Sequence, residues 1–217
     1  MKEVFERIYR EDLWKGGSGV GSLPAPNRPY VAFLQAFMAE LGIRSVVDLG
    51  CGDWQFSRHV DWSGVDYDGF DLVDSVVARN RAEFGRPGVR FHAAVTDWAD
   101  LPAADLLIAK DVLQHWSNAR IAGFLPVLRR YRFALITNCI GLRGAVENRD
   151  IVDGRFRELD IRRAPFNARA SEALVYADTR RKYRLFGPRI GWRKAVLLVE
   201  GAAADVSHAK HSAGQKI

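Results

Sequence analysis

The densest concentration of site-like residues in this chain is Val46-Val47-Asp48-Leu49-Gly50-Cys51-Gly52-Asp53. Glycine at 50 and 52 removes two Cβ atoms, so the backbone can bend tightly and lie against a ligand. A lone Gly-x-Gly carries little weight. Its position adds to it: the strand-like run Ser45 to Leu49 leads straight into it, Asp48 precedes it, and further acids follow. Open parallel sheets bind ligands at the carboxyl ends of their strands, beside the point where strand order reverses. The dinucleotide fingerprint Gly-x-Gly-x-x-Gly would need a third glycine at position 55, where Gln55 stands.

About twenty residues beyond the turn, Asp71 closes a second strand-like run, where a carboxylate can accept from both ribose hydroxyls of an adenosine. Asp66 and Asp68 are its nearby competitors. A third run, Val89 to Ala94, leads into Val95-Thr96-Asp97-Trp98. A carboxylate there can accept from an adenine amino group while an aromatic ring packs on the base; a helix N-cap is the alternative role for Asp97. Asp53, Trp54, Leu72 and Thr96 flank these positions and are counted with them.

The elements that must position these residues follow from periodicity. Phe5, Ile8, Tyr9 and Leu13 fall at helical spacing, as do Tyr30, Phe33, Leu34, Phe37, Met38 and Leu41, closed by Gly42. Between them Gly16 to Pro29 holds four glycines and three prolines and reads as a loop. From Ser45 short apolar runs alternate with helical stretches: Val46 to Leu49, Phe70 to Val73, Val89 to Ala94, Asp105 to Ala109 and Phe133 to Thr137. That rhythm predicts βαβ units and a parallel sheet covered on both faces. Past Asn138 it breaks into a Gly- and Arg-rich stretch. Two late runs, Ala173 to Ala177 and Ala195 to Val199, fit an antiparallel addition at the sheet edge. The expected organisation is one domain over 1–200, including an N-terminal helical and glycine-rich lid segment (1–42), followed by a small, polar, frayed tail at 201–217.

This pattern resembles the class I S-adenosylmethionine-dependent methyltransferases. Val46 to Gly52 matches their first motif, Asp71 the acid of the second, Thr96-Asp97-Trp98 the adenine-contacting segment, and Asp105 to Trp116 the fourth strand with its following helix. The resemblance covers Ser45 to Asn138. It implies a doubly wound, Rossmann-like, seven-stranded α/β sheet whose last strand is antiparallel, with S-adenosyl-L-methionine as cofactor. A narrower similarity runs through Leu13-Trp14-Lys15-Gly16-Gly17-Ser18-Gly19, Asn148 to Arg157 and Ala164-Pro165-Phe166-Asn167. It points to a little-characterised bacterial branch often associated with glycan or small-molecule modification. That branch usually has Trp at the place of Phe156 and two prolines at Ala164-Pro165.

Methyl transfer from a sulfonium is an in-line displacement that needs an aligned acceptor and a base for its proton. Asp111 and His115, four residues apart, are expected on one face of a helix after the fourth strand. His115 is the candidate base, because its ordinary pKa lies near neutrality; packing under a loop is its structural alternative. Asp111 would orient it or contact the methionine end of the cofactor. Lys110 is counted with the cofactor set and is also placed for an acidic acceptor, with a solvent-facing position as its structural alternative. Gly17, Ser18 and Gly19 would offer backbone amides to the methionine carboxylate from a closing lid. Arg143, Arg149, Arg155 and Arg157 would roof the pocket with Phe166 and Asn167, and arginine's planar fork suits an anionic acceptor. Cys51 is read as a small side chain in the turn, not a nucleophile.

Composition bounds the alternatives. With 217 residues, 48% of them hydrophobic and 27% charged, the chain suits one globular domain. No apolar run reaches the ~18–20 residues of a membrane span. Two cysteines are too few for a disulfide framework or a cysteine zinc site, so no metal and a cytoplasmic setting are expected. A net charge of +6 admits nucleic acid as partner. Lys110-Asp111-Val112-Leu113 nevertheless lacks the Asn/Asp-Pro-Pro-aromatic motif of amino-base methylation. The favoured acceptor is a small molecule or glycan. A nucleic-acid methyltransferase, a non-catalytic binding protein of this fold and a dehydrogenase are the competing readings.

Overall fold

A computed structural model describes residues 1–141, 146–180 and 189–201. The expected tail beyond 201 and the candidate Arg143 lie outside the described residues. The elements run α1 (Lys2–Arg10), α2 (Pro24–Glu40), β1 (Ser45–Leu49), β2 (Asp66–Asp71), α3 (Asp74–Phe84), β3 (Val89–Ala93), β4 (Leu106–Lys110), α4 (Asn118–Phe124), β5 (Phe133–Ile140), β6 (Ser171–Arg180) and β7 (Arg189–Glu200). They build one seven-stranded sheet in the order β3-β2-β1-β4-β5-β7-β6. β1 to β5 are parallel, and β7 enters antiparallel between β5 and β6. The strand order reverses between β1 and β4, which puts the glycine turn at the switch point.

The central strands read as unbroken apolar runs because both faces are covered. On one face Val46, Tyr67, Leu106 and Ile108 pack against Tyr30, Leu34 and Phe37 of α2. On the other, Val47, Leu107 and Ala109 pack against Ile121, Phe124 and Leu128.

Two boundaries differ from expectation, each for a physical reason. The segment read as a loop to Pro29 already turns helical at Pro24. Pro24 and Pro26 stand in the first helical turn, where a missing N–H would have had no partner, while Pro29 is carried inside the helix. β2 begins at Asp66, upstream of the expected Phe70. Its polar face is matched by β3: Arg90 donates to Asp68 through Nε and Nη2, each at 2.8 Å, and His92 Nε2 lies 2.7 Å from the same carboxylate. These cross-strand pairs hide the strand from an apolar-run reading. They also occupy Asp68 and Asp66, removing both as competitors of Asp71.

Candidate functional site

At the end of β1 the amides of Gly50 and Cys51 both donate to Phe70 O, at 2.7 and 3.0 Å, folding the turn over β2. Gly50 and Gly52 have φ of +72° and +58°. A Cβ on Gly50 would run into Val112 Cγ2, and one on Gly52 into Ser18 Oγ. Beneath the turn, Trp54 Nε1 donates to Tyr67 Oη at 3.0 Å, and Tyr67 Oη donates to Asp48 at 2.7 Å. Burial lifts the Asp48 carboxyl to about 6, against the opposing pull of the Tyr67 hydrogen bond and Lys110. Asp71 accepts from Gly52 N at 2.9 Å and Val73 N at 3.0 Å, and burial raises its pKa as well. Each of its oxygens keeps a further lone pair. The turn leads into a short 3-10 turn at Ser57–His59 and not into an α-helix, so no helix N-terminus faces the place where a pyrophosphate would need one.

The N-terminal segment is stapled to this turn. Ser18 N donates to Asp53 Oδ2 at 3.0 Å, and Asp53 N donates back to Ser18 Oγ at 2.9 Å. Tyr9 Oη and Ser18 Oγ share a 2.5 Å hydrogen bond, and Gln55 Nε2 donates to Gly16 O at 2.7 Å. The amides of Gly16 and Gly17 both go to Asp12 Oδ1. The expected use of the Gly17 and Ser18 amides for a ligand carboxylate is therefore corrected: both are already spent in holding the segment.

Together the turn and the staple bound a cavity of about 450 Å³ over the carboxyl ends of β1, β2 and β4. At its floor Lys110 and Lys194 converge, from β4 and β7 respectively. Lys110 Nζ donates to Asp111 Oδ2 at 2.7 Å and to Gly21 O at 3.1 Å; Lys194 Nζ donates to the same Asp111 oxygen and to Gly21 O at 3.2 Å. Burial pulls the Lys110 pKa down to about 8, with Asp111 opposing. Burial alone would raise Asp111, but the two ammonium groups outweigh it and hold the carboxyl below its ordinary range. At the mouth, the His115 ring lies between Phe5, Trp14 and Phe156, with centroid separations of 5.8, 5.7 and 5.8 Å. Its Nδ1 is 3.0 Å from Arg155 O. A carbonyl only accepts, so Nδ1 carries the proton and Nε2 is left with its lone pair. Burial lowers the His115 pKa. A third wall is Trp98 stacked on Trp116, with the Arg120 guanidinium about 5 Å from both rings.

Of the residues singled out in the sequence, Asp48, Gly50, Cys51, Gly52, Asp71, Leu72, Trp98, Lys110, Asp111, His115 and Ser18 line the cavity. Others stand elsewhere. Trp54 is 2% exposed and packs among Tyr67, Phe84 and Phe91 in the core. Asp53 is buried in the staple. Thr96 is exposed, and Asp97 caps a 3-10 turn by accepting from Ala99 N at 2.9 Å. Asp111 and His115 do not share a helix face. Asp111 adopts φ +61°, which ends β4 abruptly, and a 3-10 turn over Leu113–His115 follows. Asp111 serves the lysines instead of orienting His115.

The substrate-binding arginines are likewise corrected. Arg149 is exposed and paired with Glu147, Arg155 is exposed and meets the site only through its carbonyl, and Phe166 packs against the core. The segment's polar residues act as fasteners. Asp153 accepts from Ser117 N at 2.6 Å, Asp150 accepts from Asn118 N at 2.7 Å, and Arg157 Nη1 donates to Arg149 O at 2.9 Å. Asn148 clamps Asp160 by donating to its carbonyl and accepting from its amide. Sequence reasoning missed Tyr9, Gln114, Arg120 and Lys194 on the cavity wall. Among the described residues no cluster of His, Cys, Asp or Glu is placed to hold a metal ion, and no helix is long and apolar enough to cross a membrane.

No protein-family model matches the chain, and no curated protein matches it in sequence. Solved structures do. Magnesium protoporphyrin IX methyltransferase from Synechocystis PCC 6803 with bound SAH superimposes with a TM-score of 0.59 at 18% identity, over 92% of this chain and 99% of that one. The 1,6-didemethyltoxoflavin-N1-methyltransferase of Burkholderia thailandensis, with bound 1,6-didemethyltoxoflavin and S-adenosylhomocysteine, gives 0.57 at 19% identity, over 92% of this chain and 86% of that one. A structure described for conversion of a disulfide bond into a thioacetal group during echinomycin biosynthesis gives 0.59 at 17% identity over the whole of both chains. The chain has the Rossmann-like fold of the class I S-adenosylmethionine-dependent methyltransferases.

Proposed function

We propose that this protein transfers a methyl group from S-adenosylmethionine to an oxygen or nitrogen atom of a small-molecule or glycan acceptor. The observation that carries this reading is the cavity at the β1/β4 switch point, walled by the Gly50–Gly52 turn, buried Asp48 and Asp71, and Trp98. One feature sets the wall against a dinucleotide: the turn leads into a 3-10 turn, with no helix N-terminus there for a pyrophosphate. Likeness in fold to methyltransferases bound to SAH points the same way.

When bound, the cofactor would supply an electrophilic methyl on a sulfonium, with a neutral thioether as the leaving group when the acceptor atom displaces it. The chain's residues do the rest. Asp71 would accept from the ribose hydroxyls, and Trp98 with Leu72 would flank the base. The carboxylates of Asp48 and Asp71 favour a cationic ligand. His115 takes the acceptor's proton on Nε2; its lowered pKa keeps it unprotonated at neutral pH. The aromatic mouth and the paired, outward Arg149 support a small acceptor over a nucleic-acid strand, which would call for an open basic trough.

Calorimetry with S-adenosylhomocysteine and with NAD tests the reading. Binding of the first and none of the second is expected; tight NAD binding without the other ligand would overturn it.

A further inference from the structure

The proposed methyl transfer leaves the floor of the cavity unexplained. Lys110 and Lys194 are 7% and 1% exposed, come from different strands, and face the same space. Both spend their hydrogen bonds on one carboxylate oxygen and one carbonyl, Asp111 Oδ2 and Gly21 O. An ammonium has three N–H groups, so each keeps one to give. Two cations against one carboxylate leave a surplus positive charge in a buried place, where an unpaired charge is costly. Aromatic faces soften that cost without supplying a lone pair: Lys110 lies 4.6 Å from the Phe56 centroid and Lys194 4.2 Å from that of Trp192. Asp48, whose charge also reaches Lys110, makes its hydrogen bond to Tyr67.

Another part of the same cavity wall has the opposite character. Phe5, Trp14 and Phe156 surround His115, and Phe156 is left 57% exposed at the entrance. Large aromatic surface kept at a cavity mouth marks a place for an apolar or planar ligand.

We propose that the methyl acceptor is an aromatic acid whose carboxylate docks on the Lys110–Lys194 pair while its ring occupies the aromatic mouth. This rests on the methyl-transfer reading of the same cavity. The anionic preference expected from the arginines is thus supplied by two lysines that lie 84 positions apart in the chain, on strands flanking β5.

Benzoate and its neutral counterpart benzamide, titrated by calorimetry into protein saturated with S-adenosylhomocysteine, test the proposal. Benzoate is expected to bind about tenfold or more tighter, the size of a charge-assisted contact. Lys194→Met is expected to erase that preference while S-adenosylhomocysteine affinity stays within about twofold, with thermal denaturation reporting whether the variant is folded. Equal binding of the two probes by the wild type overturns the proposal, whether or not the variant folds. A loss of about tenfold in S-adenosylhomocysteine affinity in Lys194→Met also overturns it, since the pair would then serve the cofactor's own carboxylate. Failure of the wild type to bind S-adenosylhomocysteine would overturn the methyl-transfer reading instead, and the two probes would still be compared on the cofactor-free protein.

Discussion

Asp48 sits at the end of a buried chain of donors, Trp54 to Tyr67 to Asp48, and burial holds its carboxyl near 6. A carboxyl raised above its unfolded value favours the folded state only while protonated. Its contribution is therefore greatest below the ordinary carboxylate range and is lost as pH rises from about 4 through about 6. Asp48→Asn keeps an oxygen for Tyr67 and cannot ionise. Its melting temperature relative to wild type is expected to rise between pH 5 and pH 8, while its affinity for S-adenosylhomocysteine falls; paired denaturation and calorimetry at both values check this. His115 behaves in the opposite sense as a base. With its pKa below the ordinary 6.5, activity is expected to climb with pH on a limb below that value and then level off. His115→Ala should lower kcat by about 10²–10⁴, the range of general-base contributions; near-normal turnover would remove it as the base. The placement of Asp48, Asp71 and His115 beside one cavity was legible in the sequence, because motif spacing and strand ends are local. What each side chain touches was not. Asp111 and His115 have helical spacing, yet a single left-handed residue at 111 ends the strand and sends the two side chains to different partners.

Elements show the same division. Strands β1, β4 and β5 could be read directly, since burial on both faces writes them as apolar runs. β2 and the start of α2 could not, because cross-strand charge pairs and first-turn prolines imitate loop composition. The glycine-rich segment was legible as part of the site but not as a fixture. Its hydrogen bonds to Asp53, Gln55 and Asp12 make it a staple on the glycine turn instead of a free lid. Gly52→Ala tests that at its tightest point. The added Cβ would need left-handed φ and would push into Ser18 Oγ, so strain and loss of the staple act together. A destabilisation of about 1–3 kcal/mol is expected, with faster hydrogen exchange at 16–22 and weaker S-adenosylhomocysteine binding. Unchanged exchange there would show that the staple does not hold the segment.

At the scale of the whole molecule, the sheet order does what no local pattern reveals. It brings β7 alongside β5, so that Lys194 meets Lys110 and Asp111 across strands far apart in sequence. The scattered basic residues beyond Arg120 therefore gave no sign of which one enters the cavity. Architecture also makes ligand binding a global event, because the wall of the cavity is drawn from α1, the staple and the ends of β1, β2 and β4. A ligand that bridges those parts and does not bind the unfolded chain stabilises the fold by about 2.7 kcal/mol at a hundred times its Kd. For a domain of this length each kcal/mol moves the melting temperature by about 2–4 °C. Saturating S-adenosylhomocysteine is thus expected to raise Tm by about 5–10 °C, and NAD at the same concentration to leave it in place. A rise with NAD alone would make the turn a dinucleotide site despite Gln55 at the place of the third glycine, and a rise with neither would overturn the proposed methyl transfer.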